Sequence, residues 1–435
     1  MSEPFIIRRG FKFRLRTKAR NEAMLRRYAG CCRKVWNMAL AEQQARRARG
    51  EKHASYVDMA KWLTAWRNAP ETAFLSECPV HAEQSVLKAL DAAFQKFFKN
   101  TGGYPKFKKY GQHDSFSESD VNCFQIDEPN CRVRLPKLGW IRYRASRPLD
   151  GVPKIVTVSR EAAGWYVSVL VERSLEESPV PEAVAIGAAD RGVTNFIAFD
   201  SGRLVAPLNA HKKAMFRLRR YQRAVARKIE AAKVRAGIPK AAPFPKGFRL
   251  AKSNRLSKSM ARLVKHQAKI ARVRSDWLHK LSTGIADKHA AFCLEDLKTQ
   301  NMTCSAAGTA DCPGKNVRQK AGLNRSILDQ GWAAFRVMLG YKLEHRGGEL
   351  VLVPPHYTSQ KCACCGFTGS GNRKGEAFRC LACGHKDHAD VNAAKNILAA
   401  GHAVLSGREA GCAVVEDAVQ SGRPGKRLPT EGLSQ

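Results

Sequence analysis

Acidic residues are scarce in this chain relative to basic ones. Its 435 residues include 38 Asp plus Glu against 75 Lys plus Arg, a formal net charge of +37. An excess of one sign on this scale destabilises a compact fold by self-repulsion unless a polyanion screens it, and phosphate backbones are the commonest polyanion. The composition therefore predicts nucleic acid as a partner. It argues against a merely solubilising surface, in which both signs are usually mixed.

Long apolar runs are also absent. No segment approaches the roughly 20 apolar residues that cross a bilayer. The first 20 residues lack the apolar core of roughly 7 to 15 residues and the small-residue cleavage site of a secretory signal. We therefore expect no membrane association and a cytoplasmic location. The length allows roughly two to four domains and a core large enough for an enzyme.

Cysteines are numerous, and in the cytoplasm all 14 should be reduced, so a tight cluster points to a metal before a disulfide. Those that stand apart are interpreted as small buried hydrophobic residues: Cys31, Cys78, Cys123, Cys131, Cys293, Cys304, Cys312 and Cys412.

Two CxxCG motifs, at 362–366 and 380–384, form the tight cluster, with 14 residues between Cys365 and Cys380. A two-residue gap lets one turn supply two thiolates, and the glycine permits positive φ. The spacer is one residue short of the typical range of roughly 15 to 20. The alternative is a redox CxxC, which rarely occurs as a glycine-terminated pair. The spacing predicts one structural zinc ion, with Cys364 as a spare thiol and these ligands: Cys362, Cys365, Cys380 and Cys383.

The N-terminal half alternates between two periods. Residues 5–15 alternate apolar and basic, which predicts a strand with one charged face, and helical spacing follows from about 18 to about 100. Alternating runs return between 131 and 170. Strands on both sides of a helical block predict a small barrel with that block inserted. Residues 177–181 are typical of a linker.

The second half begins with an apolar run that ends at Asp190, followed by a hairpin to about 206. Short apolar strands are predicted up to Glu295 and over 350–353, with a flexible polar loop over 301–325 and a helix over 327–345.

Helices predicted over 211–235 and 252–289 carry a dense basic face beside an apolar stripe. A solvated hairpin is the alternative, but the face lacks compensating acids, which favours phosphate contact. The residues concerned are Arg217, Arg219, Arg220, Arg223, Arg227, Lys258, Arg262, Lys265, Lys269 and Arg272.

Three acids, Asp190, Glu295 and Asp390, stand at the edge of an apolar strand or at a helix start. Each has an ordinary alternative: Asp390 as an N-cap, Asp190 in a turn, and Glu295 paired with a basic helix. Together, hard oxygen ligands are what a pair of Mg²⁺ ions needs to activate water and stabilise the leaving oxygen of a phosphodiester. In a chain this basic, the combination favours a nuclease.

Five motifs resemble those of the TnpB family, which are transposon-encoded relatives of the type V CRISPR effector nucleases: GAADRGVTNF, LEDLKTQNM, GLNRSILDQGW, PPHYTSQKCACCG and DHADVNAAKNIL. The match extends from about residue 10 to about 400 and includes FKFRLRTKARNEAMLRRYAGCCRKVWNMAL near the N-terminus. The resemblance implies an RNA-guided DNA endonuclease associated with an insertion-sequence transposon. It also implies a bacterial, nucleoid-associated monomer that holds a noncoding guide RNA and cuts target double-stranded DNA beside a short adjacent motif.

The resemblance implies an α+β multidomain fold. Its parts are a wedge-type, OB-like β-barrel (1–15 and 115–178), an inserted helical recognition domain (16–114), and an RNase H-like α/β nuclease domain of RuvC type (179–358 and 386–406) interrupted by a zinc ribbon (359–385). We expect the tail, 407–435, to be disordered.

The family's three catalytic acids, which hold two Mg²⁺, fall on Asp190 of ADRG, Glu295 of LEDL and Asp390 of DVNAA. Asp387 competes for the last place, and Asp390 is chosen because the family's acid immediately precedes the xNAA element. Two departures stand out, an unusually small GAA before Asp190 and a Pro-rich insertion over 236–250, and neither removes a metal ligand.

Three other functions stay open. They are a non-cleaving RNA-guided DNA-binding repressor, a DNA transposase that uses the same acids for strand transfer, and a zinc-ribbon transcription regulator. The last would leave Asp190 and Glu295 unexplained.

Overall fold

A computed structural model describes residues 5–175, 185–240, 242–245, 247–248, 250–309 and 311–420, with side chains to residue 407. The chain divides into two compact units, Met1–Ser178 and Pro179–Gln435. The linker predicted over 177–181 lies outside the described residues. None of the described helices is both long and apolar enough to span a membrane.

The first unit is one long strand, a helical block and a run of further strands. Its elements are β1 (Phe5–Leu15), α1 (Ala19–Ala48), α2 (Tyr56–Asn68), a 3₁₀ helix (Pro70–Glu77), α3 (Val80–Phe98), β2 (Ser115–Glu118), a 3₁₀ turn (Val121–Cys123), β3 (Gln125–Asp127), β4 (Arg132–Leu135), β5 (Gly139–Arg144), β6 (Val152–Glu161) and β7 (Gly164–Leu175). The strand over 5–15 and the helices between 18 and 100 are confirmed. The short strands β2 and β3 were not predicted.

These strands form one seven-stranded antiparallel sheet in the order β2-β6-β7-β1-β5-β4-β3. Strand β1 lies near its centre because it pairs with β7 from Phe5 to Arg14 and then with β5 at Arg14 and Leu15. Its side chains alternate as the sequence predicts, with Phe11 and Phe13 buried and Lys12 exposed. One face of the central strand therefore builds the core and the other remains charged.

The helical block and the sheet share a single hydrophobic core. The rings of Tyr28 in α1 and Phe116 in β2 meet edge to face at 5.6 Å, and Leu87 and Phe94 of α3 belong to the same buried cluster. Helix α2 begins with a capping box, in which Ser55 Oγ accepts from the Asp58 N–H and Asp58 accepts from the Ser55 N–H. The block inserted between β1 and β2 is thus packed directly onto the sheet.

The second unit alternates strands and helices. Its elements are β8 (Ile186–Asp190), β9 (Ile197–Phe199), β10 (Leu204–Val205), α4 (Ala210–Arg235), α5 (Asn254–Ala286), β11 (Ala291–Glu295), α6 (Thr299–Met302), α7 (Val317–Gln330), α8 (Trp332–Glu344), β12 (Glu349–Val353), a 3₁₀ turn (Ser370–Asn372), β13 (Arg373–Lys374), β14 (Ala377–Arg379), β15 (Lys386–His388) and α9 (Ala389–Gln420).

Its main sheet has the order β10-β9-β8-β11-β12, in which β8, β11 and β12 are parallel and the hairpin β9–β10 is antiparallel. Successive residues of β8 face opposite layers. Ala189 packs with Leu278 of α5 and Phe335 of α8, whereas Ala188 packs with Ile397 of α9. The sheet is therefore covered on both faces, as the near-continuous burial of a parallel strand requires.

Two sequence-based predictions are corrected by the structure. Residues 301–325 are not all loop, because α7 begins at Val317, and the helix predicted over 327–345 is broken at Gly331, whose φ is +75°. Among the isolated cysteines, Cys31, Cys78 and Cys293 are buried as predicted. Cys304 and Cys312 are exposed, and Cys123 and Cys131 are half-buried. The side chain of Cys412 lies outside the described residues.

Helix α9 continues to Gln420, so the tail predicted from 407 begins inside it, and 421–435 lie outside the described residues. Helix α9 approaches the sheet so closely at Gly401 that only glycine fits there, because a Cβ on Gly401 would collide with Sγ of Cys293 in β11. Gly187, the first residue of the GAA before Asp190, is small for a similar reason. A Cβ on Gly187 would lie 2.6 Å from Nε2 of His289.

We predict that Gly401→Ala lowers the free energy of unfolding by about 1–3 kcal/mol through overpacking against Cys293, although alanine is the better helix former. The matched control is Gly407→Ala on the same helix, where nothing lies within 4 Å of the added Cβ. This control should raise stability by up to about 1 kcal/mol. Urea unfolding of both variants tests the pair, and equal stabilisation by both would contradict the packing argument.

Candidate active site and metal site

Two of the predicted acids lie at the carboxyl ends of neighbouring parallel strands. Ala189 of β8 is in register with Leu294 of β11, and the next residues are Asp190 and Glu295. Asp390 is the second residue of α9, which packs on the same sheet. It lies in the first helical turn and is not the N-cap, because the helix begins at Ala389. The fold thus brings together three acids separated by long stretches of chain.

Asp190 interacts electrostatically with the other two carboxylates. Burial, together with the charges of Glu295 and Asp390, raises the pKa of Asp190 to about 7, and Arg373 opposes this shift. Glu295 is 8% exposed, and this burial raises its pKa. Thr358 Oγ1 donates a hydrogen bond to Glu295 Oε1 at 2.6 Å, which acts in the opposite direction and lowers the pKa. Negative charge is therefore confined at a site where a bound cation would relieve the repulsion.

Two arginines adjoin these acids. Arg191 is buried, donates to the main-chain oxygen of Glu295, and has its pKa lowered to about 10 by burial. Arg373 places a guanidinium nitrogen 2.8 Å from Asp390 Oδ1, and Asn195 Nδ2 lies 3.4 Å from Oδ2. None of these residues was predicted from the sequence. Arg191 could have been predicted from its position next to Asp190 in the sequence, whereas no local motif indicates that Arg373 or Asn195 lies near the acids.

Asp387, the competitor of Asp390, has other partners. Its Oδ2 lies 2.7 Å from Lys395 Nζ, and its Oδ1 accepts from the His388 N–H at 2.7 Å. Its charge is not among those that raise the pKa of Asp190. Asp390, and not Asp387, is therefore among the charges that act on Asp190.

The four predicted zinc ligands also converge. All four sulfur atoms lie within 4.8 Å of one another, with Cys362 and Cys383 3.7 Å apart and Cys365 and Cys380 3.6 Å apart. A tetrahedral site with Zn–S bonds of about 2.3 Å has sulfur atoms about 3.8 Å apart. The four thiols therefore fit a structural metal ion, and the spare Cys364 is exposed and outside the cluster.

Each thiol pair comes from a tight turn closed by glycine. The N–H of Gly366 donates to the carbonyl of Cys362, and that of Gly384 donates to the carbonyl of Cys380. Both glycines have positive φ, 77° and 73°. The N–H of Cys383 donates to Sγ of Cys380 and lowers the pKa of that thiol to about 6, whereas hydrogen bonds among the thiols raise the pKa values of Cys365 and Cys383.

Buried asparagines attach this cysteine segment to its surroundings. Asn372 donates to the carbonyl of Gln360 and accepts from the N–H of Leu381, so it joins the two cysteine turns. On α9, Asn392 accepts from the N–H of Ala363, and both Asn392 and Asn396 donate to the carbonyl of Lys361. The helix that carries Asp390 is therefore bonded to the first cysteine turn.

The basic helices α4 and α5 pack as a pair around Leu218 and Ile270. The α4 N-terminus is capped from α7, where the buried Asp329 accepts from the N–H groups of His211 and Lys212. All ten predicted nucleic-acid contacts are exposed. Apart from Arg272, none of them forms an ion pair within the described part of the chain. Uncompensated positive charge therefore covers this helix pair.

Three family models match the chain. Residues 1–52 match a "Helix-turn-helix domain" and 166–306 a "Probable transposase", both of the IS605 OrfB type, and residues 332–397 match a "Cas12f1-like, TNB domain". Over 5–52 the structure has the strand β1 followed by the start of the helical block, in which α1 alone spans Ala19–Ala48.

The chain is 43% identical to "Putative RNA-guided DNA endonuclease InsQ" of Escherichia coli (strain K12), covering 97% of each protein. It is 33% identical to "Putative RNA-guided DNA endonuclease" of Streptomyces pristinaespiralis, covering 91% of this chain and 90% of that protein. A shorter match, 45% over 71 residues, is to the CRISPR-associated endodeoxyribonuclease Cas12f1 of Sulfoacidibacillus thermotolerans and covers 16% of this chain and 17% of that protein. The chain belongs to the TnpB (IS605 OrfB) family, as its motifs predicted.

We predict that Cys380→Ser removes one equivalent of bound zinc and lowers the melting temperature, because a three-thiolate site loses both a ligand and the closure of its second turn. Cys364→Ser is the matched control, since its thiol is exposed and outside the cluster. Zinc content by mass spectrometry and thermal unfolding measure both effects. Equal zinc loss in the two variants would mean that the ligand set is wrong.

Proposed function

We propose that this protein is an RNA-guided DNA endonuclease of an insertion-sequence transposon that hydrolyses DNA phosphodiesters with two Mg²⁺ ions. The observation that carries the proposal is the position of Asp190 and Glu295 at neighbouring ends of a parallel sheet, with Asp390 of α9 near enough for its charge to act on Asp190. A purely structural role would leave like charges on a buried Asp190 without a reason. The activities named for its relatives agree with this chemistry.

The three carboxylates would hold the Mg²⁺ ions, since hard oxygen ligands suit that cation and their mutual repulsion is what it would relieve. Bound there, the metal would activate water and stabilise the leaving oxygen. Thr358 holds the Glu295 side chain by its hydrogen bond to Oε1, and Arg191 fixes the end of β11 through the main-chain oxygen of Glu295. These contacts preorganise the ligands.

The architecture supports assigning the second unit to an RNase H-like nuclease domain of RuvC type (179–358 and 386–406). The hairpin β9–β10 pairs antiparallel with β8, which is parallel to β11, and β12 continues the parallel part of the sheet. Asp190 and Glu295 lie at the neighbouring ends of β8 and β11, which agrees with this assignment. The cysteine segment (359–385) lies between β12 and α9 and would be the zinc ribbon. We assign the sheet of the first unit to the wedge domain and its helical block to the recognition domain.

We predict that Asp190→Ala, Glu295→Ala and Asp390→Ala each lower the DNA cleavage rate at least about 100-fold, because a lost metal ligand removes several kcal/mol of transition-state stabilisation. Guide and target binding should stay nearly intact. Protein purified with its bound RNA is assayed for cleavage of a matching duplex, and binding is measured separately. Chelation of Mg²⁺ should stop cutting without releasing RNA.

Asp387→Ala is the matched control, since this acid is paired with Lys395. Cutting that survives Asp390→Ala and is lost in Asp387→Ala would overturn the assignment of the third ligand. Wild-type protein that carries RNA and binds its target without cutting would favour the repressor. Strand transfer without any bound RNA would favour the transposase.

We also propose that α4 and α5 contact nucleic-acid phosphates. Replacing Arg219, Arg223, Lys265 and Lys269 together by Gln should weaken binding of all sequences alike, since phosphates position a nucleic acid without specifying its bases. If all four contact phosphates, the slope of log affinity against log salt should flatten by roughly 3, at about 0.7–0.9 per contact. Binding of the guide RNA and of duplex DNA, measured over a range of salt concentrations, tests this.

The control is Lys280→Gln on α5, because the Lys280 ammonium is already 2.8 Å from Asp276. It should leave the salt slope unchanged. An unchanged slope in the fourfold variant as well would mean that the helix pair is only a solvated hairpin.

A further inference from the structure

A second group of metal-type ligands lies in the first unit, far along the chain from the four cysteines. His81 is the second residue of α3, Asp120 caps the 3₁₀ turn Val121–Cys123, and Cys123 ends that turn. Their ligand atoms all lie within 4.8 Å of one another. Cys123 is half-buried, and the His81 and Asp120 side chains are 42% and 34% exposed. A cation from solvent can therefore reach all three.

The three ligand atoms share Asp120 Oδ2 as a common neighbour. The Cys123 thiol donates a hydrogen bond to this oxygen at 3.6 Å, which a metal would replace when the thiol loses its proton, and His81 Nε2 lies 3.8 Å from it. Around one tetrahedral zinc ion, bonds of about 2.0–2.3 Å place a sulfur and an oxygen ligand about 3.6 Å apart and a nitrogen and an oxygen ligand about 3.4 Å apart. The Sγ–Oδ2 distance matches its edge, and the Nε2–Oδ2 distance is longer than its edge by about 0.4 Å.

Local hydrogen bonds hold the group in this arrangement. Asp120 Oδ1 accepts from the Asn122 N–H at 2.9 Å, which fixes the carboxylate and leaves Oδ2 as the atom nearest the other two ligands. Ser85, one turn after His81, lies 3.0 Å from Ser119 through their hydroxyl oxygens and ties α3 to the segment before the turn. Two separate parts of the chain are thus joined beside the three ligands.

We propose that His81, Asp120 and Cys123 bind a zinc ion with three protein ligands and a fourth position open to water. The donor set of one imidazole, one carboxylate and one thiolate favours a borderline-soft divalent cation over Mg²⁺, which prefers oxygen. The ion clamps the start of α3 to the turn between β2 and β3. It therefore stabilises the junction between the helical block and the sheet by mass action.

The proposal is tested with the full-length chain, equilibrated against buffered zinc and analysed for metal content per chain. Wild type should hold two zinc ions, one here and one in the cysteine cluster, whereas Cys123→Ser and His81→Gln should each hold one. Cys131→Ser is the matched control, since Cys131 is likewise half-buried in this unit but lies outside the group. It should keep both ions.

Cobalt substitution separates the two sites. In a Cys380→Ser background, Co²⁺ at the proposed site should give thiolate-to-cobalt charge-transfer absorption that Cys123→Ser abolishes and Cys131→Ser retains. His81→Gln alters a partly exposed side chain, so it keeps the test valid if Cys123→Ser does not fold. One zinc ion in wild type, or equal zinc contents in Cys123→Ser, His81→Gln and Cys131→Ser, would overturn the proposal.

Discussion

The repulsion that Asp190 meets from Glu295 and Asp390 is the constraint on which the site in the second unit depends. Burial and like charge make the ionised form of Asp190 costly, which its raised pKa expresses directly. The surrounding structure offsets this cost with Arg373 on Asp390 and Thr358 on Glu295. Such a site is stable only if the elements that carry the acids are held rigidly in place. The sheet provides this rigidity because helices cover both of its faces.

The cysteine segment is joined to the acids by more than chain connection. Arg373, which reaches Asp390, belongs to this segment, and Asn392 and Asn396 of α9 bond to its first cysteine turn. Buried amides require these partners, so helix and segment hold one another in place. A metal at the four thiols would therefore stabilise the position of Asp390 as well as its own segment.

The first unit depends on the packing of its helical block against its sheet. Its strands are short apart from β1, β6 and β7, and they gain stability by sharing one core with the helical block. The three proposed ligands His81, Asp120 and Cys123 lie where that block meets the sheet. A cation there would reinforce the joint without adding apolar surface.

Local pattern was enough to predict most strands and helices, the four converging thiols, and the acids at strand ends, because periodicity and CxxCG turns are properties of short segments. The family was likewise readable from motifs. Only tertiary structure decided that Arg373, Asn195 and Thr358 adjoin the acids, that Asp387 pairs with Lys395, and that Cys304 and Cys312 are exposed. Each of these facts depends on contacts between distant segments, which no local period encodes.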